Sequence, residues 1–501
     1  AGVFCAVHVS GDGDTVSLIG DRLGLRPIYY ASAGQYVFFA TALRILEALP
    51  ALSKTLDVRG AIEVSTLGYP LSDRTPYQGI RTLLSGERIQ FRDASVTRGR
   101  YWRLDTIARN TKPAGALVRD LADTLRAAID VRLSRDRGAS AFLSGGLDSR
   151  TIVALLRDRG VDVATFNFAL AHTQDQAFGR AFADAVGALH TERPRPAGPE
   201  LWSQMMGDAW RASPHSRSGL VERSGLVWSG DGGSVTLGHI SVTPRMVELL
   251  RAGRRRAAVE EHVAAFHFAV PRRVLQRGVL RDLGDVAVDG LLDEMADFAC
   301  EDEGRALWVW RMISNQRRHL VRHFEDLDLH RLEFHLPFYD GHLIDLVGSI
   351  PIDLCLEHRL YAALLPYLPA SMTAAPWQAY PGALPCPVPV PEGLLYQWSE
   401  KRAATEGAAL RRQMVRDARR LLFSPGFPTP VLRRSRLAAA AAIHASGLRD
   451  LGYVLNMASS VSRFWSRCEG RSVVPSLAGV RLPPTGGSHE ILRDPAKGLP
   501  P

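Results

Sequence analysis

"AFLSGGLDSRTIVALL", Ala141 to Leu156, is the stretch on which the fold turns. Upstream, "ASAFL" is a short apolar run of strand character; downstream, "RTIVALLRDRG" carries helical periodicity and is closed by Gly160. A further strand, "DVATFNFAL", follows. Strand, helix, strand at this spacing is a βαβ unit, which predicts a parallel α/β sheet in the middle of the chain. The loop between strand and helix places backbone N–H groups at the positive end of the helix dipole, where an anion is favoured. Gly145 and Gly146 let that backbone approach a phosphate, and Ser144 and Ser149 add hydroxyl donors. Asp148 would repel phosphates unless a cation stood between them, and Mg²⁺ is the natural intermediary. The GK[ST] ending of a Walker loop is absent. A tight turn with a capping serine would explain the two glycines alone; the whole six-residue string in this context points to phosphate.

Outward from this unit, Leu117, Leu121, Leu125 and Ile129 recur every fourth residue and mark an amphipathic helix, preceded by a linker, "RNTKPAG", at 109–115. Residues 1 to 105 read as short alternating strands broken by Gly, Asp and Pro, as in "TVSLIGD", "QYVFFAT" and "GERIQFRD". Residues 280–365 read as largely helical, 375–393 as an extended proline-rich loop, 400–445 as basic, alanine-rich helices, and the end from Pro483 as a loose tail. A chain of 501 residues predicts about two to three domains.

Apolar residues at 46% and charged residues at 23% describe a globular protein, and no apolar run is long enough to span a membrane. The five cysteines, Cys5, Cys300, Cys355, Cys386 and Cys468, are scattered and never form a CxxC pair, which predicts a reducing, cytoplasmic setting and no zinc site. The net charge of +9 is spread over arginines without interleaved aromatics, so solvated helix faces are expected rather than a nucleic-acid surface. His319 and His323 stand at i and i+4, but among arginines and without the glutamate of HExxH. Tyr29, Tyr30, Trp377 and Trp398 are expected to pack or anchor loops.

"SGGLDS" resembles the PP-loop of the ATP pyrophosphatase superfamily, whose members split ATP between its α and β phosphates. "DRLGLRPIYY", Asp21 to Tyr30, resembles a segment of the class II glutamine amidotransferase domain of asparagine synthetases, and "RTPYQGIRTLLSGERI" and "RYW" are similar to that domain's later strands. "FNFALAHTQDQAFGRAFADAVGALH" is similar to the same family's block with Asp175, Ala177, Ala181, Gly187 and His190, and "HLPFYDGHLIDLVGSIP" resembles its R-V-P-F-L-D block. The resemblance implies an α/β fold: a PP-loop parallel-sheet synthetase domain preceded by part of an Ntn-type α+β glutaminase-like domain. It divides the chain into 1–108, 109–445 and a C-terminal extension at 446–501. Gly2, Val3 and Phe4 fall on the family's first G-x-F strand, so its nucleophilic cysteine would lie well upstream of Ala1. Cys5 reads as a core thiol, and glutamine hydrolysis is not expected of the chain as given.

The family's second phosphate-side motif, S-G-E-G-x-D-E, is here "SGDGGSVTLGH", Ser229 to His239. Asp231 replaces the glutamate, and Ser234 and Val235 replace the acidic pair. The resemblance implies that Leu143, Ser144, Gly145, Gly146, Asp148, Ser149, Phe168, Ser229, Gly230 and Gly232 bind ATP or pyrophosphate, that Asp148 and Asp231 hold Mg²⁺, and that Asp231 acts as a base. The family's lysine after the P-F-L-D block is missing from "HRLYAALLPYLPASMTAAPWQAYPG", leaving His358 or Arg359 to supply positive charge. The implied reaction is ATP-dependent amide formation, with AMP and pyrophosphate released. The implied partners are a small-molecule or peptide carboxylate and ammonia or an amine, with no nucleic acid, no membrane and a possible homodimer. An intramolecular amide cyclase, akin to lasso-peptide cyclases and β-lactam synthetases, stays open, as does a noncatalytic nucleotide-binding homologue. A PP-loop RNA-modifying enzyme would lack the "DRLGLRPIYY" domain.

Overall fold

The computed structural model describes residues 2–92, 95–193, 225–266, 268–326, 332–381, 383, 385–396 and 400–468. The N-terminal part carries two antiparallel sheets. One has the order β1-β2-β6-β7, from β1 (Cys5–Val9), β2 (Thr15–Gly20), β6 (Glu87–Arg92) and β7 (Ser95–Arg100); the other has the order β4-β3-β5, from β3 (Tyr29–Ala33), β4 (Tyr36–Ala40) and β5 (Ile80–Thr82). Alternation puts successive residues of β3 on opposite faces. Tyr30 joins Leu18, Ile28, Ile89 and Phe91 in one small core, while Tyr29 and Ala31 join another beneath helix α2 (Val58–Leu67). The turn "DRLGLRP" is built on buried Asp21, whose carboxylate accepts the amides of Leu23, Leu25 and Arg26. Gly24 takes φ +67°, and a Cβ there would lie 2.9 Å from the Arg317 side chain. Cys5 is half-buried against this core, and burial pushes its thiol up, as befits a packing role.

The middle of the chain is a five-stranded sheet, β10-β9-β8-β11-β12, parallel throughout, from β8 (Gly138–Phe142), β9 (Asp162–Asn167), β10 (Leu189–Glu192), β11 (Gly225–Trp228) and β12 (Leu332–His335). Helix α3 (Ala114–Leu133) buries Leu117, Leu121, Leu125 and Ile129, as its periodicity predicts. Helix α4 (Leu147–Asp158) follows β8, and α5 (Gln174–Ala185) follows β9. The chain runs from β8 out to β9 and β10, then returns to β11 on the other flank, so β8 and β11 adjoin at a topological switch point. Ligands of open α/β sheets bind at the carboxyl ends of strands there.

Three features depart from expectation. β12 lies inside the span read as helical; it and β10 and β11 are four residues each, too short for a period to show. The proline-rich loop is tied to α4: buried Arg150 donates to the carbonyls of Met372 and Pro376, at 3.1 and 2.6 Å, and also to that of Ala375. The division at 445 does not follow the packing. Helices Glu400–Leu422, Arg434–Ser446 and Gly452–Trp465 share one core with β3, β4 and α2, in which Val415, Leu437, Val461 and Trp465 pack with Tyr29, Ile62 and Tyr77. Of the four aromatic residues expected to pack, Tyr29, Tyr30 and Trp377 are buried, and Trp398 lies outside the described residues, as does the tail from Pro483. Among the described residues no helix is long and apolar enough to cross a membrane.

Candidate active site

The loops leaving β8 and β11 meet at the switch point. Asp148, in the first turn of α4, accepts on Oδ2 from the amide and hydroxyl of Ser234, at 2.8 and 2.7 Å. Two glycines make this approach possible. A Cβ on Gly230 would lie 2.3 Å from the Ser149 nitrogen, and one on Gly233 would lie 2.6 Å from the Asp148 carboxyl carbon. Gly232 takes φ +91° with the Tyr339 ring against it. Ser229 donates its hydroxyl to Asp231, and its amide donates to the His335 carbonyl at 3.1 Å.

The two glycines of "SGG" do different work. Gly145 donates its amide to the Asp175 carboxylate, and a Cβ there would lie 2.7 Å from the Asp175 Cα, so this glycine serves close packing on α5 rather than an open approach to phosphate. Gly146 is the N-cap of α4 with no side-chain cap, and the nearest atom to a Cβ there is the Ser144 oxygen at 3.5 Å. The dipole end of α4 is therefore open on the Gly146 side. Ser144 and Ser149 hydroxyls lie 2.9 Å apart, and Gln378 of the proline-rich loop donates to the Gly145 carbonyl at 2.9 Å. The side chains of Leu143 and Phe168 are buried in the main core, so any part they take in nucleotide binding would fall to their backbone.

Burial pushes the Asp148 carboxyl up to about 6, with Asp231 adding to the rise and hydrogen bonding from Ser234 and Tyr361 opposing it. Its Oδ1 is buried, with no hydrogen bond of ordinary geometry among the described residues. The Tyr361 phenol lies beside the same carboxylate and shares a 2.9 Å hydrogen bond with Thr151. An orphaned carboxylate oxygen, with Asp231 near it, fits Mg²⁺ held by one or two carboxylates and completed by phosphates and water. It does not fit an all-protein cage, since no three His, Cys, Asp or Glu converge among the described residues. Nor do His319 and His323 form a metal pair: His319 faces Asp231 at 4.0 Å, and His323 stacks on Phe334 at 3.7 Å.

The structure gives His358 and Arg359 different surroundings. His358 is buried at φ +63° with its ring against Gly238, and burial pushes its pKa down to about 4, so the ring is neutral near pH 7. Arg359 is exposed and ion-paired with Glu357. Sequence reasoning matched Asp175 to a motif without giving it a site role and passed over Tyr339, Tyr361 and Tyr380, because nothing in a linear pattern shows that their distant segments converge.

Residues 1–102 match the glutamine amidotransferase domain family, and residues 120–198 match the asparagine synthase family. Both matched domains are ones that asparagine synthetases carry, so the chain is similar to that family at low identity. Two curated members of that family are similar to it: asparagine synthetase [glutamine-hydrolyzing] 3 of Bacillus subtilis, 28% identical over 139 residues, and putative asparagine synthetase [glutamine-hydrolyzing] 2 of Methanocaldococcus jannaschii, 29% identical over 145. The aligned regions span 27% and 28% of this chain and 22% and 27% of those relatives. The asparagine synthase match takes in β8, α4, β9 and α5, the elements that carry "SGGLDS" and Asp175.

Proposed function

We propose that this chain is an ATP-dependent amide ligase that activates a substrate carboxylate as an acyl-adenylate. The observation that carries the reading is the orphaned Asp148 Oδ1 beside the uncapped N-terminus of α4, at the switch point of a parallel sheet. A carboxylate oxygen attacks the α-phosphorus of ATP, the bond from that phosphorus to the bridging oxygen breaks, and pyrophosphate leaves. The nitrogen of ammonia or an amine then attacks the acyl carbon, the bond from carbon to the phosphate oxygen breaks, AMP leaves and the nitrogen loses a proton. Ser144, Ser149 and the Gly146 amide, which hydrogen-bond with one another, would turn to hold the pyrophosphate. Mg²⁺ bound by Asp148 and Asp231 would neutralise phosphate charge. Asp231, oriented by Ser229, is the acceptor for the amine proton.

A second reading, amide closure within one substrate, is favoured by the absence of lysine from residues 358–382. The test is incubation with ATP, Mg²⁺ and ammonia across aspartate, glutamate and small peptides, with identification of the nucleotide product. AMP and pyrophosphate, lost in Asp148→Asn, are expected. ADP would refute the mechanism. ATP binding without turnover of any acceptor would favour the noncatalytic homologue.

A further inference from the structure

Arg311 opens a π-helical turn, Arg311–Gln316, a geometry that recurs at functional sites. It is 6% exposed, its Nε is buried without a hydrogen-bond partner, and its guanidinium lies 5.3 Å from the centre of the Phe266 ring. Other buried arginines differ. Arg150 is held by three carbonyls, Arg317 by those of Leu83 and Ser72, and Arg318 by the Ser72 carbonyl and Glu294. Among the described residues Arg311 has neither a hydrogen bond nor an ion pair. A desolvated cation left without an anion is strongly unfavourable, so its retention calls for a ligand that supplies one.

The surroundings indicate where that ligand sits. Met312, next in the chain, takes the Thr236 hydroxyl at 3.9 Å, at the end of the short helix Gly233–Thr236 that begins beside Asp148. Tyr339, whose ring covers Gly232 and whose phenol donates to Gln316 at 2.6 Å, feels both the Asp148 carboxylate and the Arg311 guanidinium. So does Tyr380, from the proline-rich segment. Each phenol is thus near both a buried acid and a buried cation. His262 also faces Arg311, and burial holds it neutral.

We propose that Arg311 holds an oxyanion of the reactants, either a phosphoryl oxygen of ATP or the carboxylate that attacks it. This rests on the ligase reading above. The planar fork of a guanidinium matches either group.

The test compares Arg311→Met and Arg311→Lys with the unaltered chain in three measurements. Without ligand, Arg311→Met should melt at the same temperature or higher, because an unsatisfied buried charge is removed; a lower melting temperature would mean that the arginine supports the fold and would overturn the proposal. In calorimetric titration with Mg-ATP, a loss of roughly tenfold to a hundredfold in Arg311→Met, smaller in Arg311→Lys, identifies the phosphoryl group. Unchanged ATP affinity with a KM for the carboxylate acceptor raised by a similar factor identifies the carboxylate. If both are unchanged, the proposal fails while the ligase reading stands. If the unaltered chain neither binds Mg-ATP nor turns over, the ligase reading fails and takes this proposal with it.

Discussion

Gly230→Ala tests whether the meeting of the two loops builds the site. The added Cβ would stand 2.3 Å from the Ser149 nitrogen, 2.6 Å from the Asp148 carbonyl carbon and 2.7 Å from the Ser149 Cα, all backbone atoms with no side chain to rotate away. Ordinary van der Waals contact begins near 3.4 Å, so the loop after β11 must part from the start of α4 by about 1 Å. Overpacking of this kind costs about 1–3 kcal/mol. A displacement of about 1 Å at reacting groups lowers a rate by about 10²-fold. The control is Gly146→Ala, where the nearest atom is 3.5 Å away and the backbone, at φ −89° and ψ 176°, is accessible to alanine; its stability should change by less than about 0.5 kcal/mol. Denaturant midpoints and single-turnover AMP formation are the assays. A Gly230→Ala protein with the parent's midpoint and turnover would show that the two loops are not rigidly apposed, and the site described above would be wrong.

Acid should destabilise the chain through its buried histidines. Burial holds His239 and His262 down to about 3 and His335 and His358 down to about 4, below the usual 6.5, so the unfolded chain binds protons that the folded chain refuses. Their contribution is fully present above pH 6.5 and is lost towards pH 4, at about 1.4 kcal/mol per histidine per pH unit. Denaturant midpoints across that range should fall steeply, and His262→Gln should reduce the slope; a midpoint independent of pH would refute the neutral assignment. Trp465→Ala, emptying a 3%-exposed site in the core shared with the N-terminal sheet, should cost about 3–5 kcal/mol in thermal or denaturant unfolding, and a cost below about 1 kcal/mol would deny that the C-terminal helices belong to that core. Asp148→Asn should leave the melting temperature level or raised, because it removes the desolvation cost of a buried carboxylate; a large fall would make Asp148 structural first.

What the sequence by itself determined lies within reach of local rules. The βαβ unit, the phosphate loop and the buried stripe of α3 are written in spacings of a few residues, where periodicity and turn chemistry act directly. Asp148 was legible because an acid in such a loop demands a cation. Tertiary structure alone decided the rest. Ser234 reaches Asp148 across 86 positions of chain, and Asp175 takes the amide of Gly145 across 30. The four-residue strands β10, β11 and β12 exist because neighbours pair with them. The C-terminal helices complete a core begun by residues 29–62, and among the described residues the fold brings the Phe266 ring, and no carboxylate, to the Arg311 guanidinium. Each of these depends on which distant segments pack together, and packing is decided by the total burial of the chain rather than by any short run of residues.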